Sequence, residues 1–223
     1  MCSASLAGES SFSDRIRDRA AEIDRLLPWL SPPTGRGALP VDDLIGRWQT
    51  LAQPGETDTS VSNFARHTAF IARLLHHLRT AGADTPRPGL APEARFLWGN
   101  VWLRLPVLTE LLGQLRGLGT TAMAAHHFDP STRVRLMFLL ARAESLFGQA
   151  SQPGLRRHQP RGAALSLSQL GWTVRTRLLS GEKTHLSAQH FFEQGSAAIR
   201  PVFAWIRDIG ASLNEEYPDD PMG

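Results

Sequence analysis

The chain has 223 residues, of which 42% are apolar and 20% charged, with 19 glycines and 15 prolines. This balance excludes a collagen-like or pure linker polypeptide and gives enough length for one domain with a sizeable core, or two small ones. The net charge is +3, from 24 basic and 21 acidic residues, and every basic residue except Lys183 is arginine. Arginine stays charged at any physiological pH and grips phosphates and carboxylates in a bidentate fork. A GC-rich genome produces the same bias, so the arginine content alone assigns no function.

Residues 1–12 are small and polar and read as a loose, mobile arm. Ser13 then has the character of an N-cap, and Ile16, Ala20, Ile23, Leu26, Leu27 and Leu30 follow at helical spacing until Pro28 ends or kinks the helix. The stretch 31–40 (SPPTGRGALP) is a breaker, as is 53–58. Between them a short helix is expected at about 41–52. The next helix, about 59–81, carries one apolar stripe from Val61 to Leu78 and stops at Gly82. A Pro-rich connector at 84–92 leads to an aromatic helix at 93–105. Pro106 is expected to kink it or open a new turn before 107–116, whose end Gly113, Gly117 and Gly119 weaken.

Asp129-Pro130-Ser131-Thr132 reads as a helix start. The helix it opens, about 131–148, is apolar nearly all round, a pattern expected at the centre of a bundle. A basic loop at 149–163, a helix at 165–180, and a last helix at about 188–209 capped by Ser187 complete the pattern. Gly195 and Pro201 predict a bend in that last helix. No period-two alternation occurs. The expected architecture is all-α, a single bundle of about six to eight helices over 13–210, with a 1–12 arm and an acidic 211–223 tail.

Catalytic and metal signatures are absent. The single Cys2 excludes an internal disulfide and a cysteine metal site within one chain. His76-His77 and His126-His127 are adjacent pairs pointing to different helix faces, and His185 and His190 are badly spaced for one face, so no metal or other cofactor is expected. No G-x-S-x-G elbow occurs, and GQLRGLG (113–119) lacks the strand and lysine of a phosphate loop. Glu93, Glu110, Glu144 and Glu193 are the carboxylates whose placement by the fold decides whether an acid–base pair forms. No secretory leader and no membrane-length apolar run is seen, so a soluble, cytoplasmic protein is expected, without a membrane partner.

The sharpest feature is a charge asymmetry. Arg133, Arg135, Arg142, Arg156, Arg157, Arg161, Arg175 and Arg177 fall in one stretch whose single acid is Glu144, a local charge of about +7. A stripe of this kind releases counterions on meeting a phosphate backbone. Trp172 beside it offers a surface for base stacking. The expected site is therefore Arg133, Arg135, Arg156, Arg157, Arg161, Arg175 and Arg177 with Trp172. The expected role is a non-catalytic structural subunit that binds nucleic acid, RNA in preference, within a larger self-associating assembly such as a nucleocapsid. An acidic protein is the other partner considered. A helix-binding interaction module and a small-molecule enzyme are the alternative readings, the first requiring an exposed apolar patch and the second a deep polar pocket.

LRTAGAD at 78–84 and WIRDIG at 205–210 are similar to motifs of the helical apoptosis-regulator (BH-motif) bundles, but Trp98-Gly99 lacks the following arginine and stands out of that family's order. The plan of arm, helical core and tail is similar to that of coat proteins of filamentous RNA viruses. The aromatic–aspartate run typical of many of these is absent, and only HHFD at 126–129 approaches it. Neither resemblance assigns the chain to a family.

Overall fold

A computed structural model describes residues 3–30, 41–53, 59–84, 90–151, 159–180 and 186–216, and among them every regular element is helical. The α-helices are α1 (Ser3–Leu26), α2 (Val41–Ala52), α3 (Ser60–Asp84), α4 (Pro92–Gly99), α5 (Leu105–Ala124), α6 (Pro130–Ala150), α7 (Ala163–Thr173) and α8 (Ala188–Glu216). A 3-10 turn at Leu27–Trp29 follows α1. One π-helical segment, Asn100–Arg104, joins α4 to α5, and another, Val174–Leu178, extends α7. With α4 and α5 joined through the π-helical segment into one rod, the rods number seven among the described residues, an all-α architecture within the expected six to eight.

Three boundaries differ from the sequence expectation. Helix α1 begins at Ser3 rather than Ser13, because residues 3–12 contain no proline and propagate the turn set by the register that follows. Helix α8 runs on to Glu216, where Leu213, 6% exposed, anchors the extra turns that had been expected to belong to the tail. Residues 217–223 lie outside the described ones. The rod also continues through Pro106. The π-helical turn just before it, closed by the Leu105 amide on the Asn100 carbonyl, widens the backbone where the proline ring would otherwise strike the preceding turn.

The chain divides into two compact units, Met1–Thr85 and Pro86–Gly223, the break lying inside the Pro-rich stretch that sequence alone did not mark as a boundary. In the first unit, Leu27, Leu44, Trp48, Leu51 and Phe70 form the core. The Trp48 indole N–H donates to the Asp24 carboxylate at 2.7 Å, so its polar edge is satisfied while its ring packs on Phe70.

In the second unit α5 is the central helix, packed against both α6 and α8. Leu105, Leu108, Leu112 and Leu115 are all buried, at helical spacing along one side. The glycines counted as weak points of α5 include the site of closest approach, where Gly119 meets the Phe191 ring of α8. Helix α6, expected at the centre, is instead one-sided. Leu136, Leu139, Leu140, Ala143 and Ala150 face the core, while Val134, Met137 and Phe138 are 60%, 55% and 59% exposed. The buried stripe suffices to dock α6 on α5, and its outer apolar residues find no cover among the described residues of this unit.

Helix α5 ends in a Schellman turn. The amide of His126 donates to the Met123 carbonyl and that of His127 to the Ala122 carbonyl, both at 3.1 Å, with His126 left-handed at φ 50°. An L-residue is strained there and glycine is not. His126→Gly is therefore expected to stabilise the protein by about 0.5–1 kcal/mol, read as a higher midpoint in urea with an unchanged slope.

Candidate nucleic-acid interface

The arginine-rich stretch is laid out on α6, the turn before α7, and the π-helical segment after it. Helix α6 is started by Asp129, whose side chain accepts from the Thr132 amide at 2.9 Å, from the Thr132 hydroxyl and from the Ser131 hydroxyl. These hydrogen bonds, that of Ser131 foremost, hold the Asp129 carboxyl far below the usual carboxylate range. A depressed pKa means the cap acts fully above the unfolded value, about pH 4, and is lost as the pH falls further. In thermal melts the gap between the native protein and Asp129→Ala is expected to be constant from about pH 7 to 5 and to shrink below about pH 4. A gap that persists undiminished at about pH 2 contradicts this account of the cap.

Not all of the expected residues face outward. Arg133 is part-buried, donating through Nε to the Phe128 carbonyl and through Nη1 to the Leu179 carbonyl, each at 3.1 Å. It ties the start of α6 to the end of the π-helical segment as a clamp, with two of its donors engaged by backbone carbonyls. Arg175 pairs with Glu144 across the α6 surface, the two side chains 53% and 35% exposed. Gly171 makes that pairing possible, since a Cβ there would stand 3.0 Å from the Glu144 carboxylate and 3.4 Å from Leu140. Glu144, the one acid of the stretch, is thus already engaged.

The remaining cations lie at the surface. Arg135 and Arg142, seven residues apart, share one flank of α6, and both are exposed. Arg161 is exposed in the turn ahead of α7. Arg177 lies over the indole of Trp172 with its Cζ 5.5 Å from the ring centroid, and Trp172 is itself 56% exposed. In an α-helix residues five apart diverge by 140°; the wider π turn that begins at Val174 narrows this divergence and helps bring Arg177 over the indole. Arg156 and Arg157 lie outside the described residues. Among the described residues no carboxylate pairs with Arg142, Arg161 or Arg177.

Between the α6 flanks runs the crest of Val134, Met137 and Phe138, with Arg135 and Arg142 to one side and the Glu144–Arg175 pair to the other. The Trp172–Arg177 stack was not legible in the sequence, because it depends on a π-helical segment that no local pattern marks. Nor was the exposed crest, because it depends on which side of α6 the rest of the unit covers. Arg142 was passed over as a site residue for the same reason.

The four carboxylates considered for acid–base work have separate surroundings. Glu110 accepts from Gln114 on its own helix, and burial pushes its carboxyl above the usual range despite that bond. Glu193 accepts from Gln189, Glu144 holds Arg175, and Glu93 lines a cleft of about 90 Å³ beside Ser212 and Glu216. Among the described residues no group of three His, Cys, Asp or Glu side chains is placed to hold a metal ion. No described helix is long and apolar enough to cross a membrane. No family model, curated protein or solved structure matches the chain.

Proposed function

We propose that this protein is a helical subunit of a larger assembly that binds single-stranded nucleic acid, RNA in preference, on the surface formed by α6, the turn before α7 and the π-helical segment. The observation that carries the reading is Trp172, exposed and stacked by Arg177, within a stretch whose single acid is already engaged by Arg175. Exposed aromatics interleaved with guanidinium groups suit unpaired bases and their phosphates, since every base offers a π face and every linkage a charge. Arg135, Arg142, Arg161 and Arg177 are the phosphate ligands in this reading, and Arg156 and Arg157, close to Arg161 in sequence, add to the charge of the stretch. Trp172 and Phe138 are the stacking surfaces.

The test is the fluorescence anisotropy of a labelled oligouridylate titrated with protein at several salt concentrations. Binding that weakens linearly on a log–log plot is expected; no binding at about 50 mM salt, or a flat dependence, removes the proposal. The Val134–Met137–Phe138 crest favours a second reading, an interaction module whose α6 accepts an acidic amphipathic helix. That reading requires partner binding that survives nuclease treatment and is abolished by Phe138→Asp.

A further inference from the structure

A cleft in the other unit is used by nothing in the nucleic-acid reading. It is an open space of about 560 Å³ between α2 and α3. Its floor is apolar, made by Leu51, Ala69 and Phe70, and its wall at Gly46 carries no side chain. Around the rim stand Arg47, Arg66 and Arg73. The two acids present, Asp42 and Asp43, both occupy the first turn of α2, where the helix dipole favours them.

Each cation is held differently. Arg66 donates from Nη2 to the Thr50 carbonyl at 2.9 Å, closing the C-terminal turn of α2 onto α3. Arg47 donates from Nε to Asp43 at 2.8 Å. The Asp43 carboxyl is held below its ordinary value first by that hydrogen bond, with the charges of Arg47 and Arg73 adding to it. Arg73 stands one heptad beyond Arg66 on the same side of α3 and is exposed. The cleft therefore has three guanidinium groups over an apolar floor. Arg66 is engaged by the Thr50 carbonyl and Arg47 shares its fork with Asp43, while Arg73 stands exposed at the rim.

We infer that the α2–α3 cleft is a binding site for a small amphiphilic anion: a carboxylate or phosphate monoester held at the rim by Arg47 and Arg73, its apolar body lying on Leu51 and Phe70. The volume falls in the range of small-molecule sites, and the combination of apolar floor and few convergent charges is what such sites use for affinity and orientation. A planar fork suits either oxyanion, so the headgroup is the shared chemistry.

The experiment uses the full chain, labelled with ¹⁵N, titrated in separate arms with phenyl phosphate, 3-phenylpropanoate, inorganic phosphate and benzyl alcohol. Saturable amide shifts at Gly46, Thr50, Ala69 and Arg73 are expected with at least one of the first two, whose ranking identifies the headgroup. Inorganic phosphate and benzyl alcohol are expected to bind at least about tenfold more weakly, because each lacks one half of the recognition. Two variants locate the site. Arg73→Gln removes a rim charge, and Gly46→Leu fills the cleft from a position where an added Cβ meets nothing within 4 Å. Each is expected to weaken binding about tenfold or more. Replacing a helical glycine also favours folding, so loss of binding in Gly46→Leu is not loss of structure. The inference is overturned if neither amphiphile produces saturable shifts at these amides, if the neutral alcohol binds as well as the anions, or if both variants bind as tightly as the native chain.

Discussion

Replacing Arg142, Arg161 and Arg177 together with glutamine is expected to lower the salt dependence of oligouridylate binding by about two units of log–log slope. Each cation withdrawn from a single strand removes about 0.7 of a released counterion. Two controls give this result its meaning. Trp172→Ala removes a stacking surface and no charge. It is expected to weaken binding by roughly 1–3 kcal/mol while the slope stays where it was. Arg133→Gln removes a charge of the same stretch, but one that is part-buried and holds the Phe128 and Leu179 carbonyls through two of its donors. It is expected to leave the slope unchanged and to destabilise the fold by about 1–3 kcal/mol, since two carbonyls lose a charged donor. If the triple variant keeps the native slope, the phosphate-binding surface is not here. If Arg133→Gln changes the slope as much as an exposed arginine does, the separation drawn between clamp and ligand is wrong.

That separation shows where sequence reasoning stops. The periodicity of Ile16 to Leu27, of Val61 to Leu78 and of the α8 apolar positions was enough to place the rods, because helical spacing is a local property of the chain. It missed the covered face of α3, where Val61 is 72% exposed and Phe70 and His77 are buried. Asp129 was legible as a helix start because an N-cap needs only its own next three residues. The two arginines Arg133 and Arg135 look alike in sequence, yet one bridges α6 to Leu179, forty-six residues away, and the other reaches the surface. Nothing local distinguishes them. The centre of the second unit was misjudged for a related reason. Helices α5 and α6 carry eight large apolar side chains each, but α5 also has Gly119, where the missing side chain lets the Phe191 ring of α8 approach closely on a second side. The α2–α3 cleft was likewise illegible, since Arg47 and Arg73 become neighbours of the same space only when two separate rods cross.

The role of the α5 glycines can be tested on one helix. At Gly119 an added Cβ would overlap the edge of the Phe191 ring and stand 3.2 Å from Leu178, and Phe191 is fully buried. The ring has no room to withdraw, so Gly119→Ala must part α5 from α8 or force Phe191 off its rotamer. The expected cost is about 2–3 kcal/mol, a fall in Tm of roughly 5–10 °C for a chain of this size. Gly113 lies on the same helix with nothing within 4 Å of a Cβ, and there Gly113→Ala is expected to stabilise by up to about 1 kcal/mol. The opposite signs separate helix propensity from close packing, because the backbone change is the same in both. A double-mutant cycle with Phe191→Leu then tests the contact itself. Trimming the ring edge makes room for the methyl group, so the double variant is expected to be about 1–2 kcal/mol more stable than the sum of the single effects implies. Additive effects would place the strain of Gly119→Ala elsewhere than at the ring, and with it the reason α5 rather than α6 occupies the middle of this unit.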